Sequence, residues 1–137
     1  MPLTITRPVS AGNVIAAIAL LLSLITAIPS ATAEEKPLSG DDIRVWLTDH
    51  TAIGLGSDWK QYFSKDGATP YWAPGGAKSL GYWSVRGDEY CSRWPPNTDW
   101  TCYKMSGEEK DGTRRVSWIA PSGIDGRATL LPGNQAE

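Results

Sequence analysis

Residues able to perform acid–base or nucleophilic chemistry are few in this chain. A base-activated nucleophile needs a histidine beside a serine or cysteine, and His50 is the only histidine. We expect it at a helix C-terminus, where a positive charge interacts favourably with the helix dipole. The adjacent carboxylates Asp41–Asp42 and Glu108–Glu109 are expected to point into water. The sequence therefore predicts no catalytic residue.

Patterns for metal, phosphate and nucleic-acid binding are also missing. The acidic residues do not alternate as in a calcium loop, and one histidine with two cysteines is a poor zinc site. Gly54 and Gly56 belong to no glycine-rich phosphate-binding run. The net charge of −2 provides no basic field for nucleic acid. No metal, no cofactor and no nucleic-acid partner is expected.

The aromatic residues are the feature with functional content. Seven Trp and five Tyr stand against one Phe, so nearly every ring carries a polar group. On a sheet surface such rings stack on sugars or on apolar side chains of a partner. The candidate binding residues lie beside prolines or in the cysteine-containing segment: Tyr71, Trp72, Arg93, Trp94 and Trp100. For Trp59 and the three candidate tryptophans, core packing and binding both remain open, whereas the other three tryptophans are expected in the core: Trp46, Trp83 and Trp118.

The N-terminal residues 1–33 have the pattern of an export signal. Arg7 is their only charged residue, and the apolar run Val14–Ile28 is followed by a proline and small residues. The alternative is a membrane anchor, but this run of 15 residues is shorter than the about 20 that a spanning helix needs. We predict cleavage after Ala33 and a single mature domain over residues 34–137, with no membrane span and a periplasmic or secreted location.

The two cysteines, Cys91 and Cys102, predict a disulfide bond. They are an even number in a chain expected to leave the reducing cytosol, where pairing is the default. A redox pair usually has a closer Cys-x-x-Cys spacing, and a metal site needs further ligands. Closing this loop is expected to stabilise the fold by about 3 kcal/mol.

One helix followed by about seven strands is predicted in the mature chain. Ser39 is suited to cap a helix that carries acidic residues in its first turn and ends near His50. Short segments separated by Gly, Pro, Asn and Asp predict strands beyond it. The predicted strands are Lys60–Ser64, Ala68–Trp72, Ser79–Arg86, Glu89–Trp94, Asp99–Met105, Arg114–Ala120 and Arg127–Leu131.

The disulfide implies a register for the hairpin that contains it. If the cysteines face each other across antiparallel strands, Tyr90 lies opposite Tyr103 and Arg93 lies opposite Trp100. The connecting loop is then formed by residues 95–98. The guanidinium of Arg93 is expected to make a cation–π contact with Trp100 on a partly exposed face.

Six segments carry a resemblance to known proteins. They are LSGDDIRVWL from Leu38, YFSKDG from Tyr62, GYWSV from Gly81, YCSRWP from Tyr90, CYKM from Cys102 and GRATLLPGN from Gly126. In this order they resemble an uncharacterised family of short exported domains, common in alphaproteobacteria, and cover nearly all of the mature chain. The resemblance implies no activity, because that family has no agreed function. By fold alone, the chain is also similar to small lipocalin-like and lysozyme-inhibitor-like barrels.

The expected fold is α+β and mainly β, with a short N-terminal helix on a curled antiparallel sheet or small barrel that hides its strand edges. The expected function is binding without catalysis, in which the aromatic surface near the disulfide hairpin recognises an envelope protein or glycan. The alternative is an inhibitor that inserts the Pro95–Pro96 loop into the cleft of an envelope or extracellular hydrolase.

Overall fold

The computed structural model describes residues 34–136, so the expected export signal lies outside the described residues. The described chain forms one helix and nine strands. The helix α1 spans Gly40–Leu47, and the strands are β1 Lys36–Pro37, β2 His50–Gly54, β3 Lys60–Phe63, β4 Ala68–Trp72, β5 Lys78–Arg86, β6 Glu89–Arg93, β7 Thr101–Lys110, β8 Thr113–Ala120 and β9 Gly123–Pro132. The mainly β fold with one short helix confirms the sequence prediction.

Eight of the strands close into an antiparallel barrel. Strands β2 to β9 each pair with their neighbours along the chain, and the pairing of β2 with β9 completes the circle. Closure removes the free edges that an open sheet would present. The extra strand β1 pairs with β7 at Ser106 and Gly107, on the edge of β7 that β6 has already left. The segment before the helix is therefore anchored to the barrel wall.

The helix begins where the sequence indicated. The hydroxyl of Ser39 accepts a hydrogen bond from the backbone N–H of Asp42 at 3.1 Å, and the Asp42 carboxylate accepts one from the backbone N–H of Ser39 at 3.0 Å. This reciprocal capping satisfies two N–H groups that would otherwise lack partners. Ile43, Trp46 and Leu47 form the predicted apolar stripe and are buried.

The helix ends at Leu47, earlier than expected from the sequence. Thr48 has an extended backbone, and Asp49 adopts a positive φ of 55°, so the chain turns away at once. His50 is consequently the first residue of β2. Its ring nitrogen Nδ1 lies 2.8 Å from the carbonyl oxygen of Thr48.

The helix closes one end of the barrel. The backbone N–H of Gly40 donates to the carboxylate of Asp88 at 2.8 Å, in the turn between β5 and β6. A Cβ on Gly40 would collide with the carbonyl oxygen of Gly87, so only glycine permits this approach. The ring of Trp46 lies against Gly107 in β7, where a Cβ would also collide with it. This end is filled by packed side chains.

The core at the helix end is built around Phe63, which is fully buried. Its ring meets the ring of Trp83 edge-on at 5.6 Å between centroids and that of Tyr90 at 5.9 Å. The indole N–H of Trp83 donates to the carbonyl of Ser64 at 2.9 Å, so its polar atom is satisfied. The three tryptophans expected in the core are only 6–8 % exposed, which confirms that prediction.

The disulfide between Cys91 and Cys102 is confirmed, and so is the pairing of Tyr90 with Tyr103. The hydrogen-bonded ladder between β6 and β7 ends at the pair that follows the two cysteines, Ser92 with Thr101. The expected pairing of Arg93 with Trp100 therefore lies beyond the ladder. The guanidinium carbon of Arg93 nevertheless lies 5.5 Å from the centroid of the Trp100 ring, as the predicted cation–π contact requires.

Several strands differ from the sequence prediction. Strands β1 and β2 were not predicted, and β9 begins at Gly123 rather than at Arg127. Strand β7 continues to Lys110, well past the predicted end at Met105, and only Asp111 and Gly112 separate it from β8. Among residues 34–136, no helix is long and apolar enough to cross a membrane.

Candidate functional site

A cavity of about 200 Å³ lies within the barrel. We call it the inner pocket, and it is lined by Trp59, Gln61, Tyr71, Tyr90, Tyr103, Trp118, Asp125 and Gly126. Successive turns of an up-and-down barrel alternate between its ends, and α1 contacts the β5–β6 turn. Asp125 follows the β8–β9 turn, which belongs to the other end. The inner pocket is therefore at the end opposite the helix.

Five aromatic rings follow one another along the pocket wall. Ring centroids are 5.9 Å apart for Tyr71 and Trp59, and 6.0 Å apart for Trp59 and Trp118. Trp118 is in turn 6.0 Å from Tyr90, which is 6.4 Å from Tyr103. Each of these residues faces inward because alternate residues of a strand point to the same side of a sheet. The wall is thus a continuous chain of rings from five different strands or strand ends.

The amide of Gln61 is the buried polar group among these rings. Its nitrogen donates to the hydroxyl oxygens of Thr69 and Tyr90, both at 3.0 Å. The Thr69 hydroxyl donates its own hydrogen to the carbonyl of Tyr62 at 2.8 Å, so it must accept from Gln61. This network fixes the orientation of the amide. Among residues 34–136, no hydrogen-bond donor reaches the carbonyl oxygen Oε1 of Gln61.

Two tyrosines of the pocket have altered acidity. Burial raises the pKa of Tyr90 from 10.0 to about 12, so its hydroxyl stays protonated throughout the neutral range. Burial also raises the pKa of Tyr103, and the negative charge of Asp125 adds to that effect. The Asp125 carboxylate is therefore close enough to influence the pocket wall electrostatically.

Asp125 reaches the pocket because of a β-bulge. Trp118 of β8 pairs with Gly126, but the next residue, Ile119, pairs with Ile124, so that Asp125 is an extra residue without a partner. In a regular strand Asp125 would face outward, since its neighbour Gly126 faces inward. A bulge redirects a side chain in this way, and bulges are frequent at barrel rims and next to functional sites.

A second cavity of about 520 Å³ adjoins the inner pocket and shares Gln61 and Tyr71 with it. We call it the rim groove, and its other lining residues are Ser79, Leu80, Trp94 and Pro95. The ring of Trp94 lies on Gly81, where a Cβ would be 2.5 Å from its atom Cε3. The same ring meets Tyr71 edge-on at 5.9 Å.

The five residues predicted from the sequence fall into three places. Tyr71 lines both cavities, and Trp94 lines the rim groove. Arg93 and Trp100 lie on the outer surface of the barrel, and Trp72 pairs with the ammonium of Lys78, which is 4.9 Å from its ring centroid. The sequence prediction thus combined residues from both faces of the barrel wall.

The outer residues form a stack of their own, which we call the outer stack: Tyr82, Arg93, Trp100 and Arg86. The Arg93 guanidinium carbon is 5.1 Å from the Tyr82 centroid and 5.5 Å from that of Trp100. Arg86 also contacts Trp100, with its guanidinium carbon 4.6 Å from the centroid of that ring.

Most of the inner pocket was missed by the sequence reasoning. The predicted hairpin register already placed Tyr90 and Tyr103 opposite each other. Knowing which face of the hairpin lies inside the barrel would have identified both as pocket residues. Gln61 and Asp125 had no such signal. Gln61 needs the closed barrel to become buried, and Asp125, which is exposed at the pocket rim, owes its place there to the bulge.

Within residues 34–136, no group of three or more His, Cys, Asp or Glu side chains is placed to hold a metal ion. The chemistry that the inner pocket offers is instead aromatic stacking, hydrogen bonding to oxygen and one negative charge. No known family model, no curated protein and no solved structure matches this chain.

Proposed function

We propose that this protein is an exported, non-catalytic binding protein whose ligand-binding site is the inner pocket together with the rim groove. The supporting observation is the chain of five aromatic rings around a cavity of about 200 Å³ at one barrel end. The opposite end is closed by α1 and filled with side chains. The interior of an eight-stranded barrel is either filled by side chains or has room for one small ligand. In this barrel the end near α1 is filled, and the opposite end contains the inner pocket.

Export is supported by the disulfide. Structural disulfides persist in oxidising compartments and are rare in the cytosol. The bond between Cys91 and Cys102 therefore agrees with the expected signal over residues 1–33 and with the resemblance to short exported alphaproteobacterial domains. We place the mature protein in the periplasm or outside the cell.

Binding rather than catalysis is favoured by the acidity of the pocket groups. A general acid or base works best with a pKa near the operating pH. Tyr90 has a pKa of about 12 and lies in a hydrogen-bond network with Gln61, so it contributes shape and polarity rather than proton transfer.

The test uses three small probes and a matched pair of variants. We expect cyclohexanol, N-acetylglucosamine or tetramethylammonium to change the tryptophan fluorescence of the purified protein in a saturable manner. The change should be lost in Trp59→Leu, which removes a ring of the inner pocket, and kept in Trp100→Leu, which removes a ring of the outer stack. Failure of every probe to bind, or loss of binding in Trp100→Leu alone, would contradict the proposal.

A second candidate, inhibition of an envelope or extracellular hydrolase, is favoured by one observation. The loop residues Pro95–Asp99 are all exposed and follow directly after Trp94. Such a loop is suited to enter an enzyme cleft. The test is the rate of a lysozyme-type hydrolase and of a protease with and without the protein; a rate reduction that a Pro95→Ala, Pro96→Ala double variant relieves would support this candidate.

A further inference from the structure

One carboxylate and no basic side chain line the inner pocket. The faces of its aromatic rings carry the negative part of the ring quadrupole. Asp125 supplies a carboxylate, and the Oε1 atom of Gln61 is an acceptor without a donor among the described residues. The residues lining the pocket include no Lys, Arg or His. This lining attracts a positive charge.

The spacing of the rings suits a cation that contacts several of them. A cation is attracted to an aromatic face when it lies within about 6 Å of the ring centroid. Neighbouring centroids along the wall are 5.9–6.4 Å apart, so a charge placed between two neighbouring rings lies within about 6 Å of both centroids. Cages of this kind recognise quaternary ammonium groups.

The volume limits the size of the ligand group. The cavity of about 200 Å³ has room for a small head group such as that of choline. A full-length sugar chain would have to lie in the rim groove instead.

The buried amide of Gln61 offers a ligand an acceptor and no donor. Both amide hydrogens of Gln61 are already used, one by Thr69 and one by Tyr90. The bulge at Asp125 adds a further acceptor at the same place. Among residues 34–136, no cationic side chain forms an ion pair with that carboxylate.

We propose that the inner pocket binds a small organic cation with a quaternary ammonium head group, of which choline is the simplest probe. The proposal rests on the proposed function, because it names the ligand class of the same pocket. The rings supply the cation–π contacts, and Asp125 supplies the counter-charge at the pocket mouth.

The experiment compares choline with 3,3-dimethylbutan-1-ol, its neutral isostere, by titration calorimetry on the purified protein. We expect choline to bind at least about tenfold more tightly, since the two ligands differ in charge and hardly in shape. Because Asp125 is exposed to solvent, Asp125→Asn should weaken choline binding about threefold and leave binding of the isostere unchanged. The matched control is Asp111→Asn in the turn between β7 and β8, at the other end, which should leave both affinities unchanged.

The outcomes separate this inference from the proposed function. Equal affinity for the two ligands, or choline binding that Asp125→Asn does not weaken, overturns the cation proposal and leaves the pocket as a binding site for neutral ligands. Retained binding of the isostere by Asp125→Asn shows that the variant is folded. If neither ligand binds and the three fluorescence probes also fail, the cation proposal and the proposed function fall together.

Discussion

The inner pocket and the outer stack use the same kinds of aromatic residue on opposite faces of one barrel wall, and they differ in whether a cation is already present. Rings outside the pocket carry the protein's own cations. Arg86 and Arg93 lie over Trp100, and Lys78 lies over Trp72. All cation–π contacts of residues 34–136 involve rings outside the inner pocket. The outer rings therefore already contact cationic side chains of the protein, whereas the inner rings are available to a ligand.

The two surfaces also differ in what holds their rings. The inner rings contact one another and the core, so they are rigid without any charged partner. The outer rings depend on long, partly exposed side chains whose contacts are each worth about 1 kcal/mol or less at exposed sites. We therefore expect equal substitutions on the two faces to have unequal consequences for stability and for binding.

The largest expected difference is between Trp118→Ala and Trp100→Ala. Trp118 is 6 % exposed and contacts Trp59, Phe63 and Tyr90, so removing its ring leaves a cavity and should lower the free energy of unfolding by about 4 kcal/mol. Trp100 is half-buried, and its loss should cost about 1 kcal/mol. Urea denaturation measures both values. Equal losses would show that the outer stack is part of the core.

Removal of the disulfide tests whether the hairpin needs a covalent constraint in addition to the ring contacts. The double variant Cys91→Ser, Cys102→Ser should lose about 3 kcal/mol of stability, because the unfolded chain regains the entropy of the open loop. The midpoint of urea denaturation should fall accordingly, and the wild-type protein in reductant should fall to the same level. A loss below about 1 kcal/mol would mean that barrel closure alone fixes the hairpin.

Raising the pH tests the burial of Tyr90 on the inner face. The pKa of Tyr90 rises from 10.0 to about 12 on folding because the ionised form is poorly solvated when buried. Stability from this group is therefore complete below about pH 10 and is lost as the pH rises towards 12. The loss amounts to about 2 to 3 kcal/mol at about one pKa unit per 1.36 kcal/mol. Denaturation at pH 9 and pH 12 should show a much smaller difference in Tyr90→Phe than in the wild type.

The success of the sequence reasoning for the fold has a local cause. The helix start is determined by Ser39 and Asp42, which interact with each other across three residues, and the turns are determined by residues such as Asp66 and Gly67. The disulfide register followed from two cysteines alone. These features depend on short-range contacts or on one covalent bond, which a single sequence displays.

The site depended on information that is not local. Trp94 and Trp100 flank the same loop, yet one lines the rim groove and the other lies beneath Arg86. Which face of a strand points inward is decided by closure of the barrel, through the pairing of β2 with β9. The position of Asp125 at the pocket rim depends on a one-residue irregularity that no composition signal marks.

The smallest expected effects come from two glycines that face inward at different points of the barrel. A Cβ on Gly81 would lie 2.5 Å from Cε3 of Trp94, so Gly81→Ala must displace that ring and should cost about 1 to 2 kcal/mol. A Cβ on Gly126 would be 3.9 Å from the nearest atoms of Trp118 and Trp59, an ordinary contact. Gly126→Ala should therefore change stability by about 0.5 kcal/mol or less.

For ligand binding, the order of the same two variants should be reversed. The methyl group of Gly126→Ala projects into the inner pocket between two of its rings and takes volume that a ligand needs. We expect it to weaken choline binding severalfold. Gly81→Ala should weaken it less, because it reaches the inner pocket only indirectly, through the contact of Trp94 with Tyr71. Urea denaturation and titration calorimetry on the two variants measure both orders. If Gly81→Ala weakens choline binding more than Gly126→Ala does, choline binds in the rim groove beside Trp94. The inner pocket is then not its binding site.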